Sequence, residues 1–364
     1  MTVVLWVLTR AALLGAVWFF DEDDGTTELA YTWAREVLAG TSPYHEAGVA
    51  YPPLAMFGHA LPGIVSPSPG AYALAFALTM LAVDAAGARL GGRRYILAVA
   101  AMGPVLLLWR YDLAPAVCHL AAAAAALRGR RDASWAWLGA SIALKPYLAV
   151  AVPLWLLWDP RARGLALTIA PSLAAALLML PIAGADVLDP YLFQAQRGLS
   201  VESGPAFVTM LLSAGQNAYD EACLCWVREG VPLAGTLGTL AGLTGIAFLT
   251  WRFARGERTA MRLVRASVAM VAVTLLTAPV FGPQYLIWLV PPAVLLGRRE
   301  TVLAGLAALT GALAYPILYD EVLAVSVTGL ALLTVRAAFL TPLAGTSRTR
   351  RASRRTPHPS STLP

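Results

Sequence analysis

Lysine is nearly missing from this 364-residue chain: Lys145 stands alone against 26 arginines. Charge is sparse altogether, at 13% of residues, where soluble domains carry about 25%. Three cysteines (Cys118, Cys223, Cys225) make no disulfide framework. The four histidines are scattered, with no Cys/His metal spacing; the first-loop acids could bind a metal, but no metal or cofactor is expected. These shortages exclude a disulfide-stapled secreted scaffold and a zinc module. What fills the space is apolar: 58% of residues are hydrophobic and the mean hydropathy is +0.65. That composition describes an all-α polytopic membrane protein.

Apolar runs long enough for a bilayer place spans near 3–20, 71–88, 95–109, 112–127, 165–184, 232–251, 261–280, 284–297, 301–316 and 321–341. The first resembles a signal peptide, but Arg10 interrupts it and no small-residue cleavage site precedes "DEDD". It is therefore expected to be retained. The membrane domain takes up residues 1–344, and 345–364 is a basic tail expected to be disordered.

A net charge of +6 suggests nucleic acid until the arginines are mapped. Twenty of them fall in six stretches, 89–94, 128–131, 161–163, 252–265, 298–299 and 348–355. Placed in the cytoplasm, these satisfy the positive-inside rule at each turn and put both termini inside. The tail then meets anionic lipid. The acids collect in the opposite loops, chiefly 21–70 and 185–231.

Residues 133–158 break the alternation, because basic clusters flank them on both sides. A single span would put one cluster outside. The segment therefore predicts a re-entrant pair of half-helices broken at Lys145-Pro146. A residue before proline disfavours helix, and legs of about 12 residues reach only roughly 18 Å. Broken backbone at membrane depth belongs beside a cavity, and a lysine there needs compensation for a cost of about 2.5–3.5 kcal/mol. Either a structural ion pair or a bound phosphate supplies it.

Polar candidates crowd the outer loops. "FFDEDDGTTELAYTWAREVLAG" carries Asp24 and Glu28, either of which could act as general base. Glu28, Tyr31 and Arg35 share a helical face. "WRYDLAP" carries Arg110 and Asp112, and "QAQRGLSVESGPA" carries Arg197 and Glu202. "FGPQYLIWLV" puts Gln284, Tyr285 and Trp288 at a helix mouth. Each has a plain alternative: flanking charge, capped turn, surface ion pair or interfacial aromatic belt. Together they outline an outward cavity suited to a charged head on a lipid tail.

The order "GTSPY" (40–44), "YPPL" (51–54), "RYD" (110–112), "ALKPY" (143–147), "RGLSVES" (197–203) and "PQYLIW" (283–288) resembles the membrane glycosyltransferases of family 87. The resemblance covers about residues 20–290. It implies a GT-C-type fold and an extracytoplasmic active site. It also implies a polyprenyl-phosphate donor carrying mannose or arabinofuranose, and a cell-envelope glycolipid or polysaccharide acceptor. Inverting displacement, with a first-loop acid as base, goes with it. Tyr31, Tyr44, Tyr51, Arg110, Asp112, Lys145, Arg197, Glu202, Gln284 and Tyr285 become candidate substrate-binding residues. The family places an aspartate four residues before the tyrosine matched to Tyr31. Thr27 stands there, leaving Glu28 and Asp24 as candidate bases. A transporter of a lipid-linked sugar, or a degenerate membrane subunit, would share the intramembrane charge and broken helix.

Overall fold

A computed structural model describes residues 2–17, 26–45, 49–212, 219–220, 225–226 and 231–345. It is helical almost throughout. In chain order the helices are α1 (Thr2–Val17), α2 (Thr26–Ala39), α3 (Pro53–Gly63), α4 (Pro69–Ala100), α5 (Gly103–Leu108), α6 (Leu113–Leu127), α7 (Arg131–Leu144) and α8 (Val152–Trp158). There follow α9 (Ala162–Ala183), α10 (Asp189–Gln196), α11 (Gly204–Leu212), α12 (Val231–Ala254), α13 (Ala260–Thr277), α14 (Val290–Ala293), α15 (Arg298–Ala312), α16 (Tyr319–Leu323) and α17 (Val327–Ala344). One two-residue antiparallel pair, Tyr219–Asp220 with Cys225–Trp226, lies between α11 and α12.

Six helices among the described residues are long and apolar enough to cross a membrane: Pro69–Ala100, Ala162–Gln194, Pro232–Ala254, Ala260–Thr277, Arg298–Ile317 and Val327–Ala344. The other expected spans take shorter forms. Thr2–Ala16, Leu113–Leu127 and Pro146–Trp158 are apolar but short. The stretch expected at 284–297 is a 3-10 turn, Pro283–Trp288, followed by the single turn of α14, because Pro291 and Pro292 limit regular helix. Leucines such as Leu173, Leu177, Leu178, Leu237 and Leu240 stand exposed on α9 and α12. Apolar surface on this scale belongs against hydrocarbon.

The expected span 71–88 and the start of 95–109 are joined in α4, with α5 carrying the remainder, but the chain reverses within α4. Gly92 has φ 63° and ψ −151°, outside helical space. Only glycine enters that region without strain. Tyr95 then folds back on Gly87 and leaves no room there for a Cβ. Ser68 caps the first arm by accepting a hydrogen bond from the Ala71 amide at 3.3 Å. Thr259 and Ser326 cap α13 and α17 in the same way.

The charge inside α1 is paired. Arg10 of α1 donates to both carboxylate oxygens of Asp84 on α4 at 2.8 Å, and to the Ile96 carbonyl at 2.8 Å. Trp6 adds a third donor to Asp84 at 2.6 Å. A fully satisfied pair is the form in which such groups are tolerated away from water.

The break at Lys145 is present. α7 ends at Leu144, Lys145 is extended at φ −160° and ψ 123°, and a 3-10 turn runs over Pro146–Ala151 into α8. The two legs return to one end of the molecule. Asp159 accepts from Arg131 at 3.0 Å, Trp135 at 2.9 Å and Arg161 at 2.7 Å. Asp132 pairs with Arg161 at 2.9 Å and Arg163 at 3.2 Å. The flanking clusters at 128–131 and 161–163 therefore sit together. Burial raises the Asp159 carboxyl, but hydrogen bonds from Arg161 and Trp135 outweigh it and hold the group below the usual range.

Elsewhere the chain shuttles between this arginine end and an opposite end. α6 starts at Asp112 and finishes at Arg128. α13 starts near Arg262 and leads to Pro283, and α15 starts at Arg298 and leads to Tyr315. The far end carries the candidate site.

Candidate active site

Asp112 and Lys145 meet where α6 begins and α7 stops. Lys145 Nζ lies 2.7 Å from Asp112 Oδ1, with side-chain exposures of 10% and 0%. Trp288 donates its indole N–H to the same oxygen at 2.9 Å. Three rings surround the ammonium, with centroids at 4.4 Å (Tyr285), 5.3 Å (Trp288) and 5.4 Å (Tyr51). Tyr147, Trp288 and Tyr285 form a stack with centroid spacings of 4.2 and 4.3 Å. Cation–π contacts of this kind strengthen on desolvation. Asp112 Oδ2 is buried with no protein partner among the described residues.

Above this ion pair opens a cavity of about 460 Å³, within the usual range for small-molecule sites. Arg110, Arg197, Glu202, Gln284 and Tyr285 line it, and Thr26, Ser200, Phe281, Tyr315 and Tyr319 complete most of the wall. Arg110 donates to Thr26 Oγ1 at 2.8 Å and lies 5.6 Å over the Tyr315 ring. Arg197 lies over Phe193 at 5.8 Å. Lys145 is not in the lining. It touches the cavity wall through Tyr285, which lines the cavity and whose ring centroid lies 4.4 Å from the ammonium.

Glu202 is the only carboxylate among the described lining residues. It is 4% exposed, and its Oε1 is buried without a hydrogen-bond partner among the described residues. Its backbone carbonyl accepts from Arg336, whose guanidinium lies 4.3 Å over Phe281. Burial pushes the Glu202 carboxyl up to about 7, against the opposing pull of the Arg336 charge. A group held near neutrality exchanges protons at working pH.

The first-loop residues divide. Thr27 turns inward and is 3% exposed, whereas Glu28 faces outward in the first turn of α2 and does not line the cavity. Asp24 lies outside the described residues. Tyr31 donates to the Pro67 carbonyl at 3.2 Å, and Tyr44 to the Tyr51 carbonyl at 3.2 Å. Both belong to an aromatic cluster rather than to the cavity wall. At its centre His59 is ringed by Trp33, Tyr51, Phe76 and Tyr111, with both ring nitrogens buried and unpartnered among the described residues. Burial and the Lys145 charge push His59 down to about 3, so it is neutral. Tyr51 joins this cluster to Lys145.

Sequence reading missed Tyr315, Tyr319 and Arg336. Arg336 had a legible signal, an arginine within the apolar run "TGLALLTVRAAFLT". The two tyrosines, four residues apart beside Pro316, give a weaker one. Among the described residues no group of three or more His, Cys, Asp or Glu side chains is placed to hold a metal ion.

No family model matches the chain, and no curated protein matches it. The site therefore rests on its own geometry.

Proposed function

We propose that this chain is a membrane glycosyltransferase of GT-C type. It moves a mannosyl or arabinofuranosyl unit from a polyprenyl-phosphate sugar to a cell-envelope glycolipid or polysaccharide. The cavity opens on the extracytoplasmic side in this reading, opposite the arginine clusters, with both termini in the cytoplasm. One observation carries the proposal: two arginines, one amide and one buried carboxyl from separate segments line a single cavity, flanked by exposed apolar helices.

Arg197 and Arg110 would hold the donor phosphate, which guanidinium recognises in bidentate fashion. Gln284 and Tyr285 would orient the sugar. The acceptor hydroxyl oxygen attacks the anomeric carbon from the face opposite the phosphate. Glu202 takes the hydroxyl proton as the new bond forms. The anomeric C–O bond breaks, and its electron pair leaves with polyprenyl phosphate, stabilised by the arginines. The structure supports Glu202 over the outward-facing Glu28 in this role. Lys145, already paired with Asp112, supports Tyr285 from below rather than meeting phosphate.

The test is transfer by the purified chain in lipid, from radiolabelled polyprenyl-phosphomannose or polyprenyl-phosphoarabinose, to a membrane glycolipid extract. Label moving to the extract supports the proposal. No transfer from either donor, by folded protein with an extract active toward a control enzyme, overturns it in favour of a carrier of lipid-linked sugar.

A further inference from the structure

A second concavity lies at the arginine end, between the second arm of α4 and α15, and encloses about 780 Å³. Arg93 and Arg94, just after the Gly92 reversal, stand at its mouth with Arg298, the first residue of α15. All three are exposed, and among the described residues none makes a side-chain hydrogen bond or an ion pair. The nearby acid of α15, Glu300, lies over Gly297 instead. Behind the arginines the groove is apolar. Leu97, Val302 and Leu309 line it and are 49%, 48% and 42% exposed. Gly305 faces Ala98 at the floor, where the small side chains keep the cleft deep.

The dimensions fit one occupant. Leu309 is eleven residues beyond Arg298 on one helix, about 16 Å at 1.5 Å per residue. That matches half of a hydrocarbon core of about 30 Å. Cations at one end and an apolar strip one leaflet long are complementary to a phosphate headgroup and its acyl chain. Basic pockets between membrane helices take anionic headgroups in this way. The α15 wall belongs to a helix long and apolar enough to cross a bilayer, and Leu97 on the short second arm of α4 is exposed beside it, as suits a lipid-facing groove.

We propose that the groove between α4 and α15 binds an anionic glycerophospholipid, its phosphate on Arg93, Arg94 and Arg298 and an acyl chain along Leu97, Val302 and Leu309. The site stands apart from the outer cavity and holds whether or not the chain transfers sugar.

The test is native mass spectrometry of the full chain in detergent, titrated with phosphatidylglycerol, phosphatidylcholine or inorganic phosphate. The R93Q/R94Q/R298Q variant is compared with R128Q/R130Q/R255Q, which removes equal charge elsewhere, and with Val302→Trp, which fills the groove at an exposed position. Thermal unfolding without lipid checks that each is folded. Phosphatidylglycerol is expected to bind in preference to phosphatidylcholine. The groove triple variant should weaken it on the order of a hundredfold, Val302→Trp should weaken it too, and the distant triple should not. Equal loss in both triple variants would mean diffuse attraction to a basic surface and would overturn the proposal. So would competition by inorganic phosphate, or unchanged binding in Val302→Trp.

Discussion

Lys145 Nζ sits 2.7 Å from Asp112 Oδ1, so the chain's single lysine is neutralised by a carboxylate 33 residues earlier. The pair holds the start of α6 against the break after α7, and the indole N–H of Trp288 ties in a third segment. Removing either charge strands the other in a buried, aromatic setting. Lys145→Met or Asp112→Asn is expected to destabilise by about 3–5 kcal/mol. The double variant should recover much of that loss, as measured by denaturant unfolding in detergent. Additive losses would mean that the two groups act separately.

Glu202→Gln keeps shape and removes the proton acceptor. Transfer should fall by about 10²–10⁴-fold, the usual contribution of a general base, while Glu28→Gln stays near wild type. Asp24→Asn, run in parallel, tests the other first-loop acid. As a base Glu202 works deprotonated. The wild-type rate should therefore climb with pH and level off above about 7. A flat profile through that region, or full activity in Glu202→Gln, would remove Glu202 from the mechanism.

Arg197→Gln should act on donor binding. Losing one charge-assisted hydrogen bond costs about 1.5–3 kcal/mol, a rise in donor KM of roughly 10- to 100-fold with acceptor KM unchanged. A change confined to acceptor KM would move the phosphate elsewhere in the cavity.

Asp159→Asn should loosen the hairpin formed by α7 and α8. Three donors, from Arg131, Trp135 and Arg161, lose their carboxylate, at a cost of about 1–3 kcal/mol. The folded-state carboxyl lies below its ordinary 3.8. Its stabilisation is therefore complete above that value and drains away as pH falls through the lowered one. Thermal unfolding in acid should show the wild-type advantage over Asp159→Asn shrinking in that window.

The hairpin was legible because two local facts agree. Proline after Lys145 ends the helix, and arginines on both flanks demand a return to one side. The cavity was partly legible: Arg110, Arg197, Glu202, Gln284 and Tyr285 come together as grouped. That Glu28 faces outward while Thr27 beside it turns inward was not legible, because adjacent helical residues point about 100° apart and only packing tells which turns inward. For Lys145 an ion pair and a bound phosphate both stayed open, since its partner Asp112 is 33 residues away in sequence. The length of the spans was obscured by prolines that shorten helices without lowering hydropathy, as in 283–297.

The Arg10–Asp84 pair sets a schedule for membrane insertion. α1 emerges from the ribosome with an arginine at its centre, and Asp84 follows 74 residues later. Until then α1 carries an uncompensated charge costing about 2.5–3.5 kcal/mol in the bilayer. Helix α1 thus has reason to stay at the membrane surface until α4 arrives to take it in. Asp84, with Trp6 and Arg10 as its donors, makes a contact across 74 residues the condition for burying the α1 arginine.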